Sequence, residues 1–298
     1  LPISQEDLRA LLPGADAVVT ESLEIGPAEL AVADRLRVVQ KYGTVLRNID
    51  TAACAARGVR VLTLRRRANI ATAEHGFALM LALARKLNTV SGLLSVEQYH
   101  QAGYPAKAFD RRYTSTSNWV RVSGLRTLYG STAGIIGLGE IGREFALRAA
   151  AFGMRVLYTQ RTRLPAAEES AWHVDYRSLD DLLAESDWVS PMLPGGAETR
   201  NFLDAARLAR MKRGAFLINV ARAEVVDRHA LNDALASGHL GGLGLDTFYE
   251  EPGSADDPLL KHRNAIITMR IAAQPRFNAF GDLAEVMSGL ARTLKEQA

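Results

Sequence analysis

The stretch that decides the fold runs from Ala133 to Gly142 and reads Ala-Gly-Ile-Ile-Gly-Leu-Gly-Glu-Ile-Gly. An apolar run leads directly into the spacing Gly-x-Gly-x-x-Gly, and a helical pattern follows as far as Phe152. In such a strand–turn–helix unit, the three glycines allow a tight turn, the approach of a pyrophosphate and close packing of helix on strand. The helix start offers free N–H groups to the phosphates. The stretch therefore predicts a dinucleotide site with Gly137, Gly139, Glu140, Ile141 and Gly142 as cofactor contacts.

The residues after the next predicted strand, 155–159, indicate which dinucleotide binds. A carboxylate at this point pairs with the ribose hydroxyls of NAD, but the sequence here is Gln160, Arg161, Thr162 and Arg163. A guanidinium can hold a 2′-phosphate in a fork geometry. We therefore expect these four residues to bind NADP(H) in preference to NAD(H). The alternative is that both arginines are solvated loop residues.

Outward from this unit, short β-rich runs alternate with helical patterns, which is typical of a parallel α/β fold. Before residue 90, strands are predicted at 16–20, 37–41 and 60–62, and helices at 27–34, 50–57 and 71–87. A more polar stretch, 91–130, is predicted to be a connecting arm. Six further strands are predicted to form one doubly wound sheet, at 132–136, 155–159, 187–192, 215–219, 242–246 and 265–268.

Composition limits the classes of protein to which the chain can belong. Its 298 residues are 48% hydrophobic and 23% charged, with a net charge of +3, as expected of a globular chain with two domains. The single cysteine, Cys54, excludes an internal disulfide and favours a cytoplasmic setting.

No basic stripe or membrane-length apolar run is present, so we expect neither a nucleic-acid nor a membrane partner. The histidines lack metal-ligand spacing, so no metal is expected. The chain begins with Leu1, so we expect the true start to precede it.

From Gly134 onward the chain resembles the D-isomer-specific 2-hydroxyacid dehydrogenases, the family of glyoxylate/hydroxypyruvate reductases and phosphoglycerate dehydrogenase. The resemblance covers nearly the whole chain. Its specific blocks are the glycine motif, residues 186–200, residues 211–222 and residues 245–252, and the stretches Asn48-Ile49-Asp50 and Ala73-Glu74-His75 match less specific family positions.

The resemblance implies a fold in which a Rossmann dinucleotide-binding domain is inserted into a smaller, flavodoxin-like α/β substrate domain. On this basis the substrate domain is predicted to comprise residues 1–91 and 272–298, and the dinucleotide domain residues 92–271. The family places its substrate in the cleft and usually dimerises through the cofactor domain, so we expect a homodimer. The family's opening strand is absent from the sequence, which again favours an N-terminal truncation.

The resemblance also implies the site residues. The family's catalytic arginine and glutamate fall on Arg222 and Glu251, and its catalytic histidine position is occupied by Arg270. Asp246 falls where the family contacts the nicotinamide amide. The other implied contacts are Leu193, Pro194, Thr199, Val220, Ala221 and Arg222 for the cofactor, and Lys41, Thr44, Val45 and Arg222 for a small anionic organic acid.

Two departures from the family pattern bear on the chemistry. The family ends its last cofactor-domain strand with Thr-Pro-His, whereas this chain has Thr268-Met269-Arg270. Histidine exchanges a proton near neutral pH, but arginine stays charged and has no basic nitrogen to offer. The family's Gly-x-Gly carboxylate loop is Gly43-Thr44-Val45 here; its N–H groups can still hold an anion.

Three hypotheses for the function follow. The first is an NADP-dependent oxidoreductase that acts on a small 2-oxo or 2-hydroxy acid, with a proton from water, His75 or His100. In this hypothesis at least one of Arg65, Arg66 and Arg67 contacts the substrate, and the alternative is that all three are solvated surface residues. The second is a family member with altered chemistry, such as formate oxidation, which needs no histidine base. The third is a catalytically impaired, regulatory NADP-binding homodimer, since fold does not guarantee activity.

Overall fold

The computed structural model describes residues 3–104, 120, 122–275 and 278–296. Its backbone divides into two compact units. The first unit comprises Leu1–Thr72, Gly139–Ile141 and Ala273–Ala298, and the second comprises Ala73–Leu138 and Gly142–Ala272. Among the described helices, none has both the length and the apolar character needed to cross a membrane.

Helices and strands alternate along both units, as the sequence predicted. In chain order they are α1 (Gln5–Leu11), β1 (Ala17–Thr20), α2 (Pro27–Val32), β2 (Val38–Lys41), α3 (Thr51–Ala56), β3 (Arg60–Leu62), α4 (Arg67–Ala84), α5 (Leu87–Val90), α6 (Val96–Gln101), β4 (Thr132–Ile136), α7 (Glu140–Ala151), β5 (Arg155–Thr159), α8 (Ala166–Trp172), β6 (Asp175–Tyr176), α9 (Leu179–Glu185), β7 (Trp188–Pro191), α10 (Ala205–Arg210), β8 (Ala215–Asn219), α11 (Arg228–Ala236), β9 (Leu240–Leu245), β10 (Ala265–Ile267) and α12 (Asn278–Glu296). The α/β fold class is thereby confirmed.

The first unit is built on a parallel sheet of three strands in the order β1-β2-β3. Leu8, Leu30 and Val39 belong to its main buried cluster. A second cluster joins Val286 of α12 to Val38 of β2. Helix α12 buries one stripe of side chains, at 282, 286, 290 and 293, which is the spacing of an amphipathic helix lying on a core.

The second unit is built on a parallel sheet of seven strands in the order β10-β9-β8-β7-β4-β5-β6. The chain moves outward from β4 through β5 to β6, then returns to build β7 to β10 on the other side of β4. All five residues of β4 are buried, as expected for a parallel strand covered on both faces. The sequence predicted six of these strands and missed β6, because two residues are too short to show a periodic pattern.

Helix α4 explains where the structure and the predicted domain boundary differ. The sequence predicted the division at residue 91, whereas the compact units divide at Thr72, inside α4. The part of α4 after Thr72 belongs to the second unit because Ala73, Phe77 and Met80 lie in the same buried cluster as Ile135 of β4. The predicted arm, 91–130, contains α6, while its residues 105–119 and 121 lie outside the described residues.

Candidate active site

The predicted cofactor and catalytic residues of the second unit follow the carboxyl ends of its parallel strands. The strand order reverses between β4 and β7, and open parallel sheets bind ligands outside the carboxyl ends at such a reversal. The loops that leave this edge begin at Gly137, Gln160, Met192, Val220, Asp246 and Thr268.

The glycine loop after β4 has the steric properties of a pyrophosphate cradle. Gly137 has a φ of +92°, and a Cβ there would lie 2.8 Å from the carbonyl oxygen of Met192 and 2.9 Å from the Leu193 side chain. A Cβ on Gly142 would lie 2.5 Å from the carbonyl oxygen of Gly137. A Cβ on Gly139 would meet nothing within 4 Å. Two glycines are therefore needed for packing, and the middle one leaves open space on the side where a phosphate would approach.

The two arginines after β5 have different surroundings. The Arg161 side chain is 89% exposed and lies 3.7 Å from an equally open Glu198 carboxylate, a type of surface pair that contributes little. Arg163 instead makes two hydrogen bonds to Glu169, from Nε at 2.8 Å and from Nη2 at 2.9 Å. Gln160 Nε2 donates to the Thr162 carbonyl oxygen at 2.6 Å. Of the two predicted phosphate-binding arginines, Arg161 is therefore the one whose guanidinium is open.

The Glu169 carboxylate is the centre of a polar cluster that fixes the end of β5. Tyr158 donates to it at 2.7 Å, and the Tyr158 hydroxyl accepts from the Leu164 N–H at 2.8 Å. The hydrogen bonds from Arg163 and then Tyr158 lower the pKa of Glu169 to about 2. Burial, together with the bond to Glu169, raises the pKa of Tyr158 to about 12.

The depressed pKa of Glu169 predicts a pH-dependent stabilisation. Since the folded-state pKa lies below the ordinary value of 4.5, the contribution is present above that value and is lost as pH falls toward about 2. We expect E169Q to melt at a lower temperature than the wild type at pH 7, and the difference to shrink toward about pH 2.5. Thermal unfolding over this range checks it, with E6Q, at an exposed glutamate of α1, as control. A difference that stays constant with pH would contradict this assignment.

Arg222 follows β8 in a turn that Asn219 fixes. The Asn219 side chain is buried; its Nδ2 donates to the Arg222 carbonyl oxygen at 2.8 Å, and its Oδ1 accepts from the Ala221 N–H at 3.0 Å. Arg222 itself is exposed. Within the described residues, its guanidinium donates only to the Ala221 carbonyl oxygen, at 2.7 Å. The turn thus presents a cation at the sheet edge.

Asp246, at the end of β9, holds the segment that follows β10. Its carboxylate is 2% exposed and accepts hydrogen bonds from the Thr268 hydroxyl at 2.6 Å, the Ile271 N–H at 3.0 Å and the Ala272 N–H at 2.7 Å. His75 Nε2 lies 2.9 Å from the Thr268 hydroxyl and 3.3 Å from Asp246 Oδ1. The structure therefore gives Asp246 a positioning role at Arg270, and its predicted contact to the nicotinamide amide stays a prediction.

Arg270 and Glu251 form an ion pair with each other. Both side chains are half-exposed. The backbone of Arg270 has a φ of +56°, a conformation that costs a non-glycine residue of order 1 kcal/mol and is often found at functional sites. Two of the three residues that the resemblance assigned to catalysis, Glu251 and Arg270, are thus brought together, with Asp246 fixing the turn on which Arg270 lies.

Two of the predicted substrate residues of the first unit, Thr44 and Val45, bind a carboxylate of the chain itself. The Thr44 N–H donates to Glu140 Oε1 at 2.8 Å and the Val45 N–H to the same oxygen at 3.3 Å. Lys41 is buried, and its Nζ donates to Asn48 Oδ1 at 2.8 Å. Burial lowers the pKa of Lys41, although the charges of Glu140 and Glu21 oppose the shift. Glu140, predicted as a cofactor contact, therefore meets the loop predicted for the substrate.

The arginine cluster 65–67 is divided among different surroundings. Arg67 forms ion pairs with Asp282 and Glu285 of α12, at 2.7 Å and 3.0 Å, so its guanidinium holds α12 in place. Arg66 pairs with Glu21 and lies over the ring of Tyr42. Arg65 is exposed. Contact of Arg65 or Arg66 with a substrate stays a prediction.

The remaining predicted residues lie on the loops of the same sheet edge. Val220 and Ala221 are buried, and Thr199 Oγ1 donates to the Pro194 carbonyl oxygen at 2.6 Å. Of the two histidines considered as proton donors, His75 faces Thr268 and Asp246 as described above. His100 lies on α6 and is exposed.

Sequence reasoning missed Asn219, Thr268 and Glu169, which position the predicted site residues rather than occupy the site. A weak signal existed for Asn219, since an amide that ends a buried strand often fixes the following turn. No local pattern indicates that Glu169 pairs with Arg163, because both lie in an ordinary polar segment.

Comparison with known proteins decides the family. Residues 77–272 match the family model described as "D-isomer specific 2-hydroxyacid dehydrogenase, NAD binding domain", which is more than half of the chain. The chain belongs to this family. Its glycine loop is therefore that of an NAD(P)-binding domain, and the resemblance inferred from the sequence is confirmed.

Individual relatives agree with this assignment. The glyoxylate reductase of Pyrococcus horikoshii is 37% identical over 287 residues, which cover 96% of this chain and 81% of the relative. The D-3-phosphoglycerate dehydrogenase of Mycobacterium tuberculosis is 35% identical over 271 residues, covering 90% of this chain. This chain spans about half the length of that dehydrogenase, 47%.

A solved structure shows the same fold. The D-lactate dehydrogenase of Aquifex aeolicus, complexed with NAD and lactic acid, is 27% identical, with a TM-score of 0.59 over 97% of this chain and 85% of that one.

Proposed function

We propose that this family member is an NADP-dependent oxidoreductase that reduces a small anionic 2-oxo acid to the 2-hydroxy acid. The observation that carries the proposal is the exposed cation Arg222, which follows β8 on the same sheet edge as the glycine loop. One relative is named a glyoxylate reductase, and the related D-lactate dehydrogenase structure is described as a complex with NAD and lactic acid; glyoxylate and lactate are small acids of this kind. Arg270, which is paired with Glu251 at the same edge, has further guanidinium N–H donors that could bind an acid.

The residues that follow the strands of the seven-stranded sheet have distinct roles in this proposal. The glycine loop and Arg161 hold the dinucleotide, and a reduced nicotinamide, when bound, supplies the hydride. Arg222 binds the substrate's anionic oxygens and stabilises the negative charge that develops on the carbonyl oxygen. Glu251 orients Arg270, which adds a second positive charge. Since arginine does not release a proton at neutral pH, we propose that the alkoxide takes its proton from water.

The preference for NADP(H) rests on the open guanidinium of Arg161 and on the absence of a carboxylate in residues 160–163. An acidic residue there would repel a 2′-phosphate. We also propose, from the family resemblance, that the protein forms a homodimer through its dinucleotide domain. The single cysteine, Cys54, is buried and free, which supports the proposal of a cytoplasmic location.

The proposal is tested by oxidation of NADPH and NADH in the presence of a panel of 2-oxo acids that includes glyoxylate and hydroxypyruvate. We expect turnover, with a higher kcat/KM for NADPH. Activity with formate and NADP⁺ alone would replace the proposal with formate oxidation. A lack of turnover with every acid, despite cofactor binding, would indicate a regulatory protein.

The substitution Arg270→His distinguishes two hypotheses: that Arg270 has its own role in the reaction, or that it marks the loss of a catalytic histidine. We expect kcat/KM for the native 2-oxo acid to fall about tenfold or more, because a charge-assisted contact to the substrate is removed. Steady-state kinetics measure the change, with R213H, at an exposed arginine, as control. A large gain in activity would instead show that Arg270 marks a lost general acid.

A further inference from the structure

The loop of residues 43–45 in the first unit, here called the amide loop, holds the carboxylate of Glu140. Two of its N–H groups, from Thr44 and Val45, donate to Glu140 Oε1 at 2.8 Å and 3.3 Å. Asn69 Nδ2 donates to Oε2 at 2.6 Å. Three N–H donors that converge on one carboxylate, two of them successive backbone groups, form the kind of concavity that binds anions.

Gly43 shows that the backbone is shaped around this carboxylate. Its φ is +147°, and a Cβ at this position would overlap Glu140 Oε1. Glycine therefore leaves the space that the carboxylate occupies, in a backbone conformation that other residues rarely adopt. The amide loop is therefore a fitted carboxylate site, and the carboxylate that fills it belongs to the chain.

The charges beside the amide loop favour a further anion. A cavity of about 330 Å³ is lined by three cationic side chains, Lys41, Arg47 and Arg66, and by the carboxylates of Glu21 and Glu140. Glu21 already pairs with Arg66. If Glu140 left the loop, the cavity would be lined by Lys41, Arg47 and Arg66, with Glu21 as its remaining carboxylate. The affinity of the loop for an external carboxylate would then rise.

We propose that Glu140 is a specificity-determining residue that competes with the substrate's carboxylate for the amide loop. The proposal rests on the proposed function in taking a small anionic acid as the substrate, and on the family resemblance in assigning this loop to the substrate's carboxylate. An external acid must displace Glu140 before it can bind, so its apparent affinity is reduced by the fraction of molecules in which Glu140 fills the loop. A neutral carbonyl compound does not use the loop and is not affected. Glu140 thereby reduces the difference in binding affinity between acids and their uncharged analogues.

The experiment compares two matched ligands, lactate and the uncharged lactamide, by calorimetric titration of the full chain without a dinucleotide. We expect E140A to bind lactate about tenfold more tightly than the wild type, since competition by a charge-assisted contact is removed. E140Q keeps an acceptor oxygen but no charge, so it should show a smaller gain. Lactamide affinity should not change. E24A, at an exposed glutamate of the same unit, should behave as the wild type, and thermal unfolding verifies that each variant is folded.

Unchanged or weaker lactate binding in both E140A and E140Q would overturn the proposal. An equal gain for lactamide, or no lactate binding by any variant, would overturn it as well. Because these titrations contain no dinucleotide and require no turnover, they fail or succeed independently of the proposed reductase activity.

Discussion

Replacement of Arg222 by glutamine should lower kcat/KM for 2-oxo acid reduction by about 10²- to 10³-fold. The Asn219 side chain is hydrogen-bonded to the Arg222 carbonyl oxygen and to the Ala221 N–H, so the turn should persist when the Arg222 side chain changes. The substitution removes the positive charge of the Arg222 guanidinium. Within the described part of the chain, this guanidinium has no carboxylate partner and donates only to the Ala221 carbonyl oxygen. Such a group is available to a substrate carboxylate and to the developing oxyanion.

Steady-state kinetics with saturating NADPH measure this effect, and fluorescence titration of NADPH shows whether cofactor binding survives. The matched control is R210Q, because Arg210 is an exposed arginine paired with Asp180 on the surface. We expect the control to retain wild-type kcat/KM. Equal activities of R222Q and the wild type would remove Arg222 from the proposed mechanism.

Replacement of Arg161 by alanine should raise the Kd of NADPH by about 10- to 100-fold, the range expected when a hydrogen-bonded charge partner of a phosphate is removed. The Kd of NADH should change little, because NADH has no 2′-phosphate. Arg161 is suited to this role since its side chain is 89% exposed and its one acidic neighbour, among the described residues, is an open surface carboxylate 3.7 Å away.

R163A is the matched variant for this experiment. Arg163 is bound in two hydrogen bonds to Glu169, so its loss should lower the melting temperature more than it changes the NADPH-to-NADH affinity ratio. Isothermal titration of both dinucleotides and thermal unfolding of both variants separate the two roles. A larger loss of NADPH affinity in R163A than in R161A would contradict this division.

Much of the fold was predictable because its parallel strands are apolar and its turns are marked. The run Thr132–Ile136 and the glycines after it specified β4, the turn and α7 together. Two features were not predictable for local reasons. Strand β6 has two residues, and α4 has apolar residues on several faces, so its pattern could not show that it divides between units at Thr72.

The candidate site was predictable at the level of residue type but not of pairing. Arg222, Glu251 and Arg270 were predicted because they occupy family positions, and the pairing of Arg270 with Glu251 followed only from the structure. Glu140 lies 96 residues from Thr44 in the chain, so nothing local in the sequence indicates that they meet. Side-chain contacts of this kind depend on tertiary packing, which a single sequence does not display.

The most direct test of the central claim uses NADPH in which both hydrogens at C4 of the nicotinamide are replaced by deuterium, incubated with the protein and a 2-oxo acid such as glyoxylate. Mass spectrometry of the acid product measures whether the label has moved to its carbon 2. If the protein is a 2-oxo acid reductase, the 2-hydroxy acid should gain one deuterium per molecule formed. NADPH consumption without a labelled hydroxy acid, or no consumption with any acid of the panel, would contradict the claim.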